Sequence, residues 1–162
     1  TDKITALALL VMHPDVTIAT KALADFYNAW SHDALVLDKW FSVQATADRP
    51  NALSYVRALL DHPQFSLSNP NKVRALIGGF AHSNPSHFHA LDGSGYAFLS
   101  EMLRAIDPLN AQIAARLVIP LTRFRRFETK RQSLMQEQLE QLASQKLSKN
   151  LGEMIRKALK PG

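Results

Sequence analysis

Apolar residues recur along this chain at three- and four-residue steps, the spacing that places them on one face of an α-helix. Nine such stripes follow one another. Ile4, Leu7, Leu10 and Val11 make the first, and Leu23, Phe26, Tyr27 and Trp30 the second. Leu37, Trp40, Phe41 and Gln44 make the third, followed by Leu53, Val56, Leu59 and Leu60. Val73, Leu76, Ile77 and Phe80 make the fifth, and Leu99, Met102, Leu103 and Ile106 the sixth. The seventh runs through Ile113, Leu117, Leu121 and Phe124. Leu134 or Met135 with Leu139 and Leu142 makes the eighth, and Leu151, Ile155 and Leu159 the ninth. No segment sustains a period of two, so no sheet is expected. Trp30, Trp40, Phe41 and Phe80 lie on these stripes and are core candidates, because aromatics on an apolar face dominate packing.

Helix breakers fall between the stripes. His13-Pro14, His62-Pro63 and Asp107-Pro108 end the first, fourth and sixth helices, and Pro50 suits the first turn of the fourth. Ser68 or Asn69 caps the fifth and Ser148 the ninth. Pro120 lies inside the seventh stripe and should kink or split that helix. The longest irregular stretch, 83–95, carries Asn84-Pro85 and Asp92-Gly93-Ser94-Gly95, residues that favour turns. The helices group in pairs beginning near residues 1, 33, 69 and 107. That spacing points to an all-α fold: a superhelical stack of antiparallel helix pairs of the HEAT or armadillo type, with about nine helices. Residues 1–162 are expected to form a single α-helical domain.

Composition adds exclusions. With no cysteine, the chain holds neither disulfide nor thiolate metal site, which suits a cytoplasmic setting. No apolar run reaches the ~18 residues of a membrane span. The chain lacks an initiator Met and opens inside a helical pattern, as a fragment or a processed product would. The net charge of +5 is concentrated between Arg104 and Arg131. Arg116, Arg123, Arg125, Arg126, Lys130 and Arg131 form a basic region that either solvates a helix face or attracts an acidic partner, a protein or a nucleic acid.

Catalytic constellations are incomplete. His87 and His89 are two apart and point to different sides of a helix, and no His-Glu-x-x-His occurs, so no zinc site is expected. His89 is expected to serve as a hydrogen-bonding residue of its loop. Ser94 stands between two glycines, but the pattern is not that of a nucleophile elbow. Neither Asp33 with Asp38 nor Glu137 with Glu140 forms an acid–base dyad. Gln112 and Arg116, four apart, share a helix face off the apolar stripe, and Arg74 sits similarly beside Val73. A guanidinium there offers paired donors to a carboxylate.

Three segments carry a family resemblance: Asn69-Pro70-Asn71-Lys72-Val73-Arg74, then Phe88-His89-Ala90-Leu91-Asp92-Gly93-Ser94-Gly95-Tyr96, then Asn110-Ala111-Gln112-Ile113-Ala114-Ala115-Arg116. With Leu35-Val36-Leu37-Asp38-Lys39-Trp40-Phe41 they resemble the C-terminal helical domain of bacterial aminopeptidase N, the zinc-dependent gluzincin aminopeptidases. The resemblance implies a cap over the catalytic face of a thermolysin-like domain of the same polypeptide. Such a cap restricts access to small peptides and adds polar residues to the cavity wall. It implies substrate contacts from Arg74, Gln112 and Arg116, with Ala111 standing where the family usually has proline. Zinc and the catalytic residues would belong to the parent enzyme, none of them to this chain, which is expected to be inactive alone. No nucleic acid partner is implied. The alternative is a freestanding helical module that binds a protein or nucleic acid through the Arg116–Arg131 region.

Overall fold

The structure is a computed structural model and describes residues 2–162. Cα packing divides the chain into two compact units, residues 1–87 and 88–162. Among the described residues every regular element is helical.

The first unit opens with α1 (Asp2–Val11), α2 (Val16–Trp30) and α3 (Ala34–Ala45). Short links reverse the chain, so α1 packs on α2 and both pack on α3. Asp15 and Asp33 cap α2 and α3 by accepting backbone N–H groups of the first turn. Trp40 on α3 donates its indole N–H to the Leu23 carbonyl at 3.0 Å, which satisfies the one polar atom of a ring that is otherwise buried. Trp30 departs from the core expectation: it is only part-buried, with the Lys3 ammonium over its ring at 5.0 Å.

α4 (Ala52–Leu59) begins after Pro50, not at it. Asn51 occupies the N-cap position with φ 61°, a left-handed conformation that asparagine tolerates, and the proline stands outside the first turn. The fifth stripe forms one continuous helical path in three parts: α5 (Pro70–Val73), a π-helical turn over Arg74–Gly78, and α6 (Gly79–Ser83). Leu76, Ile77 and Phe80 on this path are fully buried. The π turn and α6 lie against α3, where a Cβ on Gly79 would come within 3.1 Å of the Ala45 Cβ.

The irregular stretch is shorter than expected, because α7 (Pro85–Phe88) forms inside it. In the second unit α8 (Ser94–Ile106) packs on α9 (Ala111–Leu117) and on α11 (Thr129–Ala143), and α12 (Lys149–Leu159) packs on α9 and α11. Pro120 splits the seventh helix as expected. α9 ends at Leu117, α10 (Ile119–Thr122) follows with the proline in its first turn, and a 3₁₀ turn covers Phe124–Arg126. Met135, not Leu134, supplies the fully buried member of the eighth stripe. Asp107 closes α8 and ties it to α12: its Oδ2 accepts from the Ser148 N–H at 2.7 Å, while the Ser148 hydroxyl donates to Oδ1 and accepts from the Leu151 N–H.

Candidate functional site

Arg74 is presented by the start of the fifth helical path. Asn69 caps it, its Oδ1 accepting from the Asn71 and Lys72 N–H groups at 3.1 and 3.3 Å, and Pro70 supplies a preset φ at the first position. Lys72 points inward and pairs with Asp38 of α3; its side chain is 6% exposed and that of Asp38 19%. Such a buried pair anchors α5 to α3. The backbone then widens into the π turn, whose first residue is Arg74. Single π turns inside α-helices are frequent at functional sites. Here the apolar residues of the turn face inward while Arg74 stays exposed, its Nη1 donating to Asn71 Oδ1 at 3.0 Å.

Gln112 and Arg116 belong to the second unit. Asn110 caps α9, accepting the Ile113 N–H at 3.0 Å, so the helix begins at Ala111 without a proline. Ile113, Ala114 and Leu117 are buried; Gln112 and Arg116 lie exposed on a common face. Among the described residues no hydrogen bond or ion pair engages either side chain. One amide and one guanidinium are thus held side by side on a rigid helix, free to receive a carboxylate or a peptide group.

The loop motif is structural. A Cβ on Gly95 would lie 2.2 Å from the Phe88 carbonyl oxygen, so only glycine fits, and Gly93 adopts φ 77°. The Ser94 hydroxyl donates to Asp92 Oδ1 at 2.6 Å, and this bond with the Ser94 N–H holds the Asp92 carboxyl below its usual range. His89 Nδ1 meets the Tyr96 hydroxyl at 2.6 Å, its ring stacks on Phe127, and its carbonyl accepts from Arg131 Nε at 2.7 Å. Burial, then the nearby Arg131 charge, pushes the His89 pKa down, and burial pushes Tyr96 up to about 12. Both therefore stay neutral at physiological pH. His87 turns elsewhere, to Asp48 at 3.0 Å.

Among the described residues no three His, Asp or Glu side chains gather as a metal cluster. The residues present do not fit zinc. The Asp33 and Asp38 carboxylates are engaged separately, Asp33 as a helix cap and Asp38 with Lys72.

Part of the basic region is committed within the fold. Arg125 donates to the Ala158 and Lys160 carbonyls and so caps the end of α12, where unpaired carbonyls favour a cation. Arg131 holds the His89 carbonyl and pairs with Glu128 at 2.6 Å. Sequence spacing gave no sign of these two roles, since each joins residues more than thirty positions apart. Arg123 and Arg126 remain exposed. No helix among the described residues is long and apolar enough to cross a membrane.

Residues 1–160 match the family described as a domain of unknown function (DUF3458_C) of ARM repeats. The aminopeptidase N of Haemophilus influenzae is 48% identical over 89% of this chain, and that of Escherichia coli 46% identical over 98%. The aminopeptidase N of Caulobacter vibrioides is 48% identical over 86%. Among solved structures, Legionella pneumophila aminopeptidase A in complex with aspartic acid superposes over 96% of the chain with a TM-score of 0.90 and 35% identity. The chain spans only 18% of the Haemophilus and Escherichia enzymes and 18% of the Legionella chain. The all-helical architecture and this match along almost the whole sequence place the chain in the DUF3458_C ARM-repeat family, as a domain akin to one portion of the bacterial aminopeptidases N.

Proposed function

We propose that this chain is the C-terminal cap and substrate-channel domain of a zinc-dependent aminopeptidase N. It covers a thermolysin-like catalytic domain of the same polypeptide, restricts entry to small peptides, and lines part of the peptide cavity. The observation that carries this reading is the uncommitted pair Gln112 and Arg116, exposed side by side on α9. Each is placed by its helix and neither has a partner among the described residues, as a binding group awaiting a ligand should be. Arg74, steadied by Asn71, is the third contact. A guanidinium suits the free carboxylate of a short peptide, and the Gln112 amide suits its backbone.

The hydrolysis itself, zinc-dependent by this reading, belongs to the catalytic portion, and no residue of this chain is assigned a step in it. The parent enzyme is a cytoplasmic peptidase in this reading, and the chain alone is inactive. The nucleic-acid alternative draws less support, because Arg125 and Arg131 of the basic region are spent on backbone carbonyls.

The test is made in the full-length enzyme. Arg116→Ala should lower kcat/KM for short peptides with a free C-terminus by roughly 10- to 100-fold, the size of a lost charge-assisted hydrogen bond. Small aminoacyl amides, which have no such carboxylate, should be cleaved almost as before. Equal losses on both substrates would remove the carboxylate-binding role. Steep salt-dependent binding of oligonucleotides by the same protein would favour the alternative.

A further inference from the structure

From Ile4 to Val11 the only polar residue of α1 is Thr5, so this part of the helix is apolar on nearly every side. Yet only Leu7 and Val11 are buried. Leu9 lies about 160° round the helix from Leu7. It is 67% exposed, and Leu10 is 40% exposed. Met12 and Val16, which share a cavity wall at the turn into α2, and Ile18 on α2 are exposed as well. At the other end of this hairpin a groove of about 290 Å³ is lined by Asp2, Lys3, Phe26, Trp30 and Val36. Asp2 and Lys3 stand seven residues before Leu9 and Leu10. Two turns separate each pair, so the groove and the exposed leucines share one face of α1.

The last helices of the second unit show the contrast. α12 buries Leu151, Gly152 and Ile155 and turns Glu153, Arg156 and Lys157 to water. α11 buries Met135, Leu139 and Leu142 and exposes Glu137, Glu140 and Gln141. A helix with one apolar face is satisfied by cover on one side; a helix apolar all round needs cover on both. In a repeat stack each helix pair buries its faces against its neighbours, and a pair that ends the stack carries a polar outer face. α1 has no such face. Most of the length of the Haemophilus and Escherichia relatives lies outside the 18% that this chain spans, so a polypeptide of that length has helices to supply. A second copy suits the face less well: its exposed side chains offer on the order of a few hundred Å², short of the ~800 Å² per partner of a stable complex. A segment of the same polypeptide covers a small face without that loss of translational freedom.

We propose that the outer face of α1 seats the helix pair that precedes it in the full-length polypeptide, stacked as the adjoining repeat. The covering helix lays an apolar stripe on Leu9 and Leu10 and sets one large apolar side chain into the groove beside Phe26 and Trp30. The proposal shares no residue with Arg74, Gln112 or Arg116. It is read by accessibility and not by peptidase activity, so its failure and that of the substrate-channel role are separate results.

Leu9→Cys and Leu10→Cys, made singly in the full-length protein, are treated with a maleimide, and peptide mass spectrometry reads the labelling at each site. Each thiol should react at least about a hundredfold more slowly in the native protein than in urea, because a covered site reacts only when the structure opens locally. Leu10→p-benzoylphenylalanine, irradiated in the native protein, should then crosslink within its own polypeptide. The partner peptide should fall in the ~90 residues before position 1, about two repeat lengths. The cysteine variants alter the face least and keep the test open if the bulkier one does not fold. Native labelling as fast as in urea would overturn the proposal. So would a covalent dimer, a crosslink to any other segment, or no crosslink from a folded protein.

Discussion

The two units secure their candidate side chains differently. In the first, Arg74 rises from an irregular π turn, and its guanidinium is already bonded to Asn71. The backbone there is fastened from below by the buried Lys72–Asp38 pair. In the second, Gln112 and Arg116 ride on an ordinary capped helix, and neither side chain has a hydrogen-bond or ion-pair partner among the described residues. One unit aims its guanidinium in advance through a hydrogen bond; the other fixes only the Cα positions and leaves the side chains free. A preset donor loses less entropy on binding, whereas a free one adapts to ligands of different length.

The largest effect should come from removing what holds each scaffold. Gly95→Ala drives a Cβ into the Phe88 carbonyl and should destabilise the second unit by about 3 kcal/mol or more, seen as a large fall in Tm or failure to fold. A melting curve indistinguishable from wild type would mean that the Phe88 backbone can yield. Asp38→Ala strands the Lys72 ammonium in the first unit and should cost about 2–4 kcal/mol in chemical denaturation. The double change Asp38→Ala with Lys72→Met should recover most of that loss, since the stranded charge is then gone.

Next in size is the peptide discrimination lost in Arg116→Ala. Asn71→Ala should be milder. It frees Arg74 without removing it, so KM for peptides should rise only about two- to threefold, the weight of one exposed hydrogen bond. If Asn71→Ala matches a full Arg74→Ala loss, prior aiming matters more than the charge itself.

The smallest effect concerns pH. His89 in the second unit and His62 in the first are both pushed below the ordinary histidine range, by burial in each case and further by Arg131 for His89. The unfolded chain therefore takes up protons first. Each histidine contributes stability fully above pH ~6.5, and that contribution is lost as pH falls through the lowered folded value. Tm should drop modestly between pH 7 and 5.5, and His89→Gln should flatten part of that slope. An unchanged slope would place the sensitivity in His62 or elsewhere.

Much of the fold was legible in the chain. Apolar spacing located nine helical segments and missed the short α7, and residues such as proline, asparagine and serine marked several of their ends, because helix caps and breakers act within a few residues. The capping roles of Asn69 and Ser148 and the break at Pro120 are of this kind. The π turn at Arg74 was not visible, since its apolar stripe looks like that of any α-helix. Gln112 and Arg116 could be found as a polar pair off the stripe, but their lack of partners could not.

What the sequence by itself determined is therefore local: helix positions, helix ends, and a turn-favouring run before α8. Only the tertiary structure decided which charges are spent and which are free. Arg131 was drawn to a carbonyl 42 positions away, and Lys72 to an acid 34 positions away, while Arg49 was buried with two nitrogens that have no partner among the described residues. A charged side chain reveals its type in the sequence, but its partner depends on which distant backbone or side chain the packing brings within about 3 Å, and no local rule carries that distance.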